Sequence, residues 1–567
     1  MVEQASTMAE ANSSAESAAE LLSQAQKLIP IALERAKLAG GFPSRWKLII
    51  SKLELIPSRL SDLSGHPLFS KNQLSREQLH SVTTTLSDAI SIADLCHPSP
   101  SPAPPTVGKL QMQSDLDSLI CKLDLNLRDC ALLVKTGVLS DATPPPSPAK
   151  RSTESEPSRR NVRELLARLQ IGHSEAKHRA VDGLLAAIQD DEKTVLPALS
   201  RSSVSALVQL LSSTSPKIKE KAATILCLIV ESGTYDALLV GEGILPPFIR
   251  LAESGTPASR EKAVISLQRL SVTPDTARSI MGHGGVRPLL DICLTGDSIT
   301  QSAAAGALKN LSAVPEIRQT LADEGIIRVM INLLDSGIVL GSKEYAAECL
   351  MNLTATNDNL RRSVVAGGAL PSLLAYLDGP LPQESGVSAL RNIITSVPPE
   401  TLISLSVLPR LLHAMKDGSP GAQQAAAAAI NKVSLISPEM KKLVCDNGCI
   451  AYLVRMLEAK SNGVREAAAQ ALAGLVSCKY CGRVLKKDEK GVPNLVQLLD
   501  SSPANNAKKN AVLCLLSVSS SRKSKKMMVA HGAIGYLKKL SEMDVNGAKK
   551  LLERLERGKL KSLFYRR

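Results

Sequence analysis

The chain has 567 residues, 44% of them hydrophobic but only 2% aromatic, and carries a formal net charge of +14. That composition excludes wholesale disorder, and a core of Ala, Leu, Ile and Val without aromatics suits close-packed helices better than a sheet sandwich. No run approaches the roughly 20 apolar residues that span a bilayer. The eleven cysteines are scattered among apolar neighbours, which predicts reduced thiols in the cytoplasm or nucleus. The opening Met1-Val2-Glu3-Gln4 is polar and acidic, so neither a signal peptide nor an N-terminal myristoyl anchor is expected.

In chain order, residues 1–140 predict an N-terminal bundle of about four amphipathic helices, broken by the proline-rich loop around Pro98, Pro100, Pro102, Pro104 and Pro105. Trp46, the only tryptophan, is expected as a core anchor of this bundle. Residues 141–160 are Pro-, Ser- and Arg-rich and predict a linker. Within it Ser147-Pro148-Ala149-Lys150 is a candidate site for a proline-directed kinase. A phosphate on Ser147 would place about two negative charges beside Lys150 and Arg151.

From residue 161 onward one pattern returns. The string Ser302-Ala303-Ala304-Ala305-Gly306-Ala307-Leu308-Lys309-Asn310-Leu311 recurs at residues 344–353 and 384–393. Its central apolar residue is followed as Leu184, Leu226, Leu267, Leu308, Leu350, Leu390, Ile430, Leu472, Leu513 and Leu555, in steps of 40–42 residues. A turn glycine keeps the same step at Gly243, Gly285, Gly325, Gly368, Gly448, Gly491 and Gly532, with Ser406 at the one missing point. Each unit reads as a short helix, a tight turn, a second helix and a longer third helix with an Ala/Leu stripe of period 3.6. No unit buries that stripe alone, so neighbours must stack.

This pattern closely resembles armadillo repeats over residues 161–557. The resemblance implies an all-α fold: a right-handed armadillo superhelix, or α-solenoid, preceded by the N-terminal helical bundle. The array of about ten units then occupies residues 161–567 and ends in a basic cap. The strings Trp46-Lys47-Leu48-Ile49-Ile50 and Leu60-Ser61-Asp62-Leu63-Ser64-Gly65-His66-Pro67 are similar to the helical N-terminal domain of plant armadillo proteins related to the U-box ligases. The U-box itself, with its Cys-Pro-Ile signature, is not expected here, because no cysteine precedes a proline.

Catalytic and metal chemistry find little support. Cys445, Cys449, Cys478 and Cys481 have CxxxC and CxxC spacings, but Cys449 falls in the slot of Ala369 and Ala533, and Cys349 in that of Ala307 and Ala389. Those two read as small core residues, whereas Cys478-Lys479-Tyr480-Cys481 follows the third helix, where loops are less constrained, and leaves a redox or metal role open. The eight histidines pair with no nucleophile, and no phosphate-cradling glycine loop is present. The expectation is a non-enzymatic protein with no metal and no cofactor.

The remaining candidate is the groove. Two residues after the core leucine stand Leu228, Arg269, Asn310, Asn352, Asn392, Lys432, Gly474 and Leu515. The armadillo resemblance implies that asparagines at this register face a concave surface and hold the backbone of an extended peptide, since an amide both donates and accepts. Lys309 and Arg391 add positive charge, so Arg269, Lys309, Asn310, Asn352, Arg391, Asn392 and Lys432 form the expected peptide track, suited to acidic segments. Nuclear-import adaptors of this family place tryptophan four residues before the asparagine. Here Gly306, Glu348 and Ser388 stand there instead, which disfavours that role. The expected function is a protein-interaction scaffold in plant signalling, trafficking or protein turnover, with no small-molecule substrate. The alternative is peripheral membrane or cytoskeletal association through the basic end, residues 549–567 together with Arg522, Lys523, Lys525 and Lys526. Nucleic acid is disfavoured for want of aromatic stacking platforms.

Overall fold

The computed structural model describes residues 17–97, 108–135, 138–139, 155–171, 174–379, 384–500 and 506–564, and among these there are helices and turns but no strand. The chain divides into two compact units, residues 1–247 and 248–567. The division falls within the repeat array rather than in the 141–160 stretch.

The first unit opens with five helices: α1 (Ala18–Leu38), α2 (Pro43–Leu53), α3 (Ile56–Ser64), α4 (Gln73–Leu95) and α5 (Lys109–Lys135). Helix α1 starts at a capping box: Ser17 Oγ accepts from the Glu20 N–H, and Glu20 Oε2 accepts from the Ser17 N–H at 2.7 Å. Helices α1 and α4 lie side by side, and α5 packs against α2, α3 and α4. Their shared core holds Trp46, Ile49, Leu53, Leu63, Leu86, Leu116 and Leu123, with Trp46 only 3% exposed, as its expected anchoring role requires. The same core takes in Ala167 from helix Ser155–Gln170 and Ile171 just past its end. That helix begins inside the 141–160 stretch expected as a linker. Its Pro157 sits in the first turn, where a missing N–H costs no hydrogen bond, so proline does not exclude helix there.

Buried polar groups fix how α4 meets α5. Asn126 Oδ1 accepts from Gln78 Nε2 at 3.1 Å and Ser81 Oγ at 2.9 Å, while its Nδ2 donates to Thr85 Oγ1 at 2.8 Å. Satisfied on both faces, this amide selects one register between two long helices whose leucines alone would tolerate slippage.

In the second unit the third helices of successive repeats, Pro257–Leu270, Ser298–Ala313, Leu340–Leu353, Glu384–Ile393, Pro420–Ile436, Asn462–Leu475 and Asn506–Val518, stack each on the next. Their contact faces are small: Ala304, Ala307, Ala426, Ala429, Ala468 and Ala471 are fully buried, which brings helix backbones close. Glycine extends this. A Cβ at Gly306 would meet Gln268 Nε2 at 2.2 Å, and one at Gly421 would collide with the Glu384 carboxylate, so each glycine leaves room for a side chain of the preceding repeat.

The turns between the first and second helices of the repeats follow the expected glycines with two shifts. Gly243, Gly325, Gly368, Gly448 and Gly532 have φ between +76° and +93°, the left-handed region that suits glycine. At the second site the left-handed residue is Gly284, and Gly285 is needed for another reason: its Cβ would meet Ile280 Cγ2 at 2.7 Å. Gly491 is helical, with no left-handed turn before it. Ser406, where the glycine is missing, still adopts φ +52°.

One register assignment is corrected. Leu513 is 36% exposed whereas Leu515 is fully buried, so the core position of that repeat is Leu515, not Leu513. Two leucines two residues apart lie about 200° apart around a helix, and only one can face the core. The groove position of that repeat is therefore Ser517 instead of Leu515.

Candidate functional site

The register two residues after the core leucine forms a ladder between repeats. Asn310 Nδ2 donates to the Gln268 carbonyl at 3.0 Å and to Ser271 Oγ at 2.9 Å. One repeat on, Asn352 Nδ2 donates to the Lys309 carbonyl at 3.4 Å and to Ser312 Oγ at 3.0 Å. Then Asn392 Nδ2 donates to the Met351 carbonyl at 3.2 Å and to Thr354 Oγ1 at 3.3 Å. Lys432 Nζ follows with the Arg391 carbonyl at 3.1 Å, and Ser517 Oγ with the Val476 carbonyl at 3.0 Å. The carbonyls lie in or near the last turn of each third helix, where intrahelical partners run out. The hydroxyls that complete the rungs, Ser271, Ser312 and Thr354, each also donate within their own helix, to the Gln268, Lys309 and Met351 carbonyls.

The sequence reading missed these hydroxyls. Their signal was available: a Ser or Thr four residues after the core leucine, with asparagine 38–40 residues later. At Gly474 the slot takes a different form, because Asn431 Oδ1 from the preceding repeat lies 2.6 Å from where a Cβ would stand.

The asparagines thus differ from the amides expected to clasp a peptide on both edges. Both Nδ2 hydrogens of each point into the stack. Asn392 is only 5% exposed, and its Oδ1 accepts from Arg391 at 3.2 Å. Asn310 and Asn352 are half-buried, and their Oδ1 atoms accept no hydrogen bond among the described residues.

The cations lie along the same helices. Arg269 is exposed, and among the described residues its guanidinium has no ion pair or hydrogen bond. Lys309 is half-buried, 3.4 Å from Glu348 Oε2 and 5.5 Å from the Tyr345 ring centroid. Burial lowers the pKa of Arg391 from its ordinary value. Burial, and then the positive charges of Arg361 and Arg391, lower that of Lys432. Arg361 is tied by its guanidinium to the Thr354 and Ala355 carbonyls and to Asp358. Arg361 and Arg391 thus lie close enough to Lys432 to act on its charge, with Asp358 and Glu384 as partial counter-charges.

A second recess lies within the first unit, a cleft of about 730 Å³ lined by α4, α5 and the two helices Ser155–Gln170 and Ser174–Asp190. Its charges are largely paired: Arg168 with Glu77 at 3.0 Å and Lys122 with Asp88 at 2.8 Å. Ser147, the candidate phosphorylation site, lies outside the described residues. Among the described residues no three His, Cys, Asp or Glu side chains are grouped to hold a metal, and no helix is long and apolar enough to cross a membrane.

Comparison with known proteins agrees with this architecture. Residues 273–313 and 437–477 match the model of the armadillo/β-catenin-like repeat. The chain carries armadillo repeats. Residues 23–138, covering most of the bundle, match the model described as a domain of unknown function, DUF7032. Among solved structures the crystal structure of an engineered protein from a structural genomics consortium is similar. Its TM-score is 0.61 at 24% identity, over 70% of this chain and 98% of that one. At that identity the likeness speaks for the α-solenoid fold alone. No curated protein matches the chain in sequence.

Proposed function

We propose that this armadillo-repeat chain is a non-enzymatic interaction scaffold whose third-helix face holds an extended, acidic segment of a partner protein. The observation that carries this reading is the run of cations on the third helices, Arg269 and Lys432 two residues after the core position and Lys309 and Arg391 one after it, beside the open Oδ1 acceptors of Asn310 and Asn352. Armadillo repeats generally bind proteins, and carboxylates on a partner would meet Arg269 first, since it is exposed and unpaired among the described residues. The ladder serves binding indirectly, by holding successive repeats at a constant spacing. Partner classes follow the N-terminal resemblance to plant armadillo proteins: signalling, trafficking or turnover complexes, in which the chain presents a client and another component does the chemistry.

The test is affinity capture from plant extract with wild-type protein and with an Arg269→Glu/Lys309→Glu variant whose helicity is verified by circular dichroism. Loss of one coherent set of partners from the variant is expected. Retention of every partner would refute the basic track as the working surface.

A further inference from the structure

Cys478, Cys481 and Cys445 converge in the second unit, away from the cation row. Cys478 is the N-cap of helix Lys479–Lys487, half-exposed, in extended conformation at φ −83° and ψ 125°. Cys481, one turn into that helix, is fully buried and donates its thiol to the Lys441 carbonyl at 3.6 Å. Its sulfur neighbours both Cys478 and Cys445, the latter near the end of helix Pro438–Asp446 in the preceding repeat. The surroundings are fixed: Tyr480 Oη donates to Asp446 Oδ1 at 2.6 Å, and Lys441 Nζ donates to Ser477 Oγ at 3.0 Å.

We propose that Cys478 and Cys481 form a thiol pair that hydrogen peroxide oxidises to an intrahelical disulfide, with Cys478 as the attacking sulfur and Cys481 as the resolving one. Residues three apart on a helix stand roughly 5–6 Å apart at Cβ. A disulfide needs about 3.5–4.5 Å, and an N-cap residue, lying outside the helical ladder, can make up the difference. The environments divide the labour. The backbone N–H of Cys481, then that of Tyr480, and the nearby Lys441 ammonium hold the Cys478 pKa below the ordinary thiol value. Burial, with Cys445 beside it, pushes the Cys481 thiol well up. Burial likewise raises Cys130, Cys349 and Cys449, each to about 12, and these thiols have no such use.

In the first step the Cys478 thiolate attacks one peroxide oxygen and the O–O bond breaks. Cys478 becomes a sulfenic acid and the departing oxygen leaves as hydroxide, which a solvent proton converts to water. Cys481 then attacks the Cys478 sulfur: the S–S bond forms, the S–O bond breaks, and the hydroxyl leaves as water with the Cys481 proton. Two thiols lose two electrons and the hydrogen peroxide gains them. The Cys481 thiol then no longer donates to the Lys441 carbonyl, so a contact between consecutive repeats is lost.

The experiment is peptide mapping of the full chain after graded hydrogen peroxide and differential alkylation. Cleavage after Lys479 separates the two cysteines, so the disulfide appears as a cross-linked peptide pair that dithiothreitol resolves. The pair is expected at peroxide doses that leave the exposed Cys121 free. In Cys481→Ser, Cys478 should accumulate as a dimedone-trapped sulfenic acid; in Cys445→Ser the linked pair should persist. The proposal is overturned if Cys121 reacts first, if Cys481 links to Cys445 instead, or if Cys478 is alkylated unchanged at every dose. The wild-type map alone decides between these outcomes should either variant fold poorly.

Discussion

The bundle at the start of the chain and the repeat array solve one problem in two ways. Both must give apolar helices a single register. The bundle uses a polar cluster found once, Asn126 with Gln78, Ser81 and Thr85, inside a core of large residues around Trp46. The array uses one polar rung many times, a side-chain amide or cation reaching the previous repeat's helix end. A unique cluster makes α4 and α5 a single cooperative contact. A repeated rung leaves stability as a sum of neighbour terms, so local damage stays local.

The largest expected effect tests the bundle side. Asn126→Ala removes the amide that joins Gln78, Ser81 and Thr85, leaving Gln78 only the residue-126 carbonyl and Cys130 and Thr85 only the Ser81 carbonyl, and should cost about 3 kcal/mol, read as a lower urea midpoint of the transition that near-ultraviolet signal from Trp46 reports. A change below about 1 kcal/mol would mean that the cluster does not hold the register.

Next comes a rung. Asn352→Ala removes donors to the Lys309 carbonyl and Ser312 Oγ and should cost about 2 kcal/mol. Hydrogen exchange should rise in the third helices of the two repeats that share the rung and stay unchanged in α4 and α5. A double-mutant cycle with Ser312→Ala should return a coupling of about 1 kcal/mol; strict additivity would deny the rung.

A cap provides the pH-dependent term. Asp297 Oδ1 accepts from the Ile299 and Thr300 N–H groups at 2.9 and 2.8 Å, and the Thr300 N–H chiefly holds its pKa below 3.8. Its contribution is therefore fully present above the ordinary carboxylate range and is lost as pH falls through the lowered folded value. Asp297→Ala should cost about 1 kcal/mol at neutral pH, and the gap to wild type should close in acid. A gap that widens in acid would have the wrong sign.

The smallest effect is a gain. Ser406 is left-handed at φ +52° and exposed, where a Cβ carries a steric cost. Ser406→Gly should stabilise by about 0.5 kcal/mol once the added chain entropy of glycine is subtracted, seen as a slightly higher Tm.

Periodicity made the repeats legible because each third helix must bury the same stripe, and it even marked Ser406, whose backbone turns like the glycines around it. It misplaced the core at Leu513 because counting by 41 landed on one of two leucines, and only burial distinguishes them. It found Asn310, Asn352 and Asn392 but not the direction of their amides. A polar residue at the edge of a stripe can face a partner or the next repeat, and that depends on a hydroxyl some 40 residues earlier. The start of helix Ser155–Gln170 was hidden by the prolines and serines around it, although the helix carries Ala167, and the residue after it, Ile171, into the bundle core. The thiol cluster was half legible: register identified Cys449 as core and the CxxC spacing left Cys478 and Cys481 open, but the approach of Cys445 joins two repeats and no spacing shows it.

The most direct test separates the cation row from the ladder. Affinity for a captured partner segment and Tm would be measured together for Arg269→Glu and Asn352→Ala at a temperature where both are folded. Arg269→Glu should lose affinity, and what remains should fall less with added salt, at an unchanged Tm. Asn352→Ala should lose Tm while keeping most of its affinity. If instead Arg269→Glu binds like wild type and Asn352→Ala binds weakly at unchanged Tm, the asparagines clasp the partner and the cation row does not.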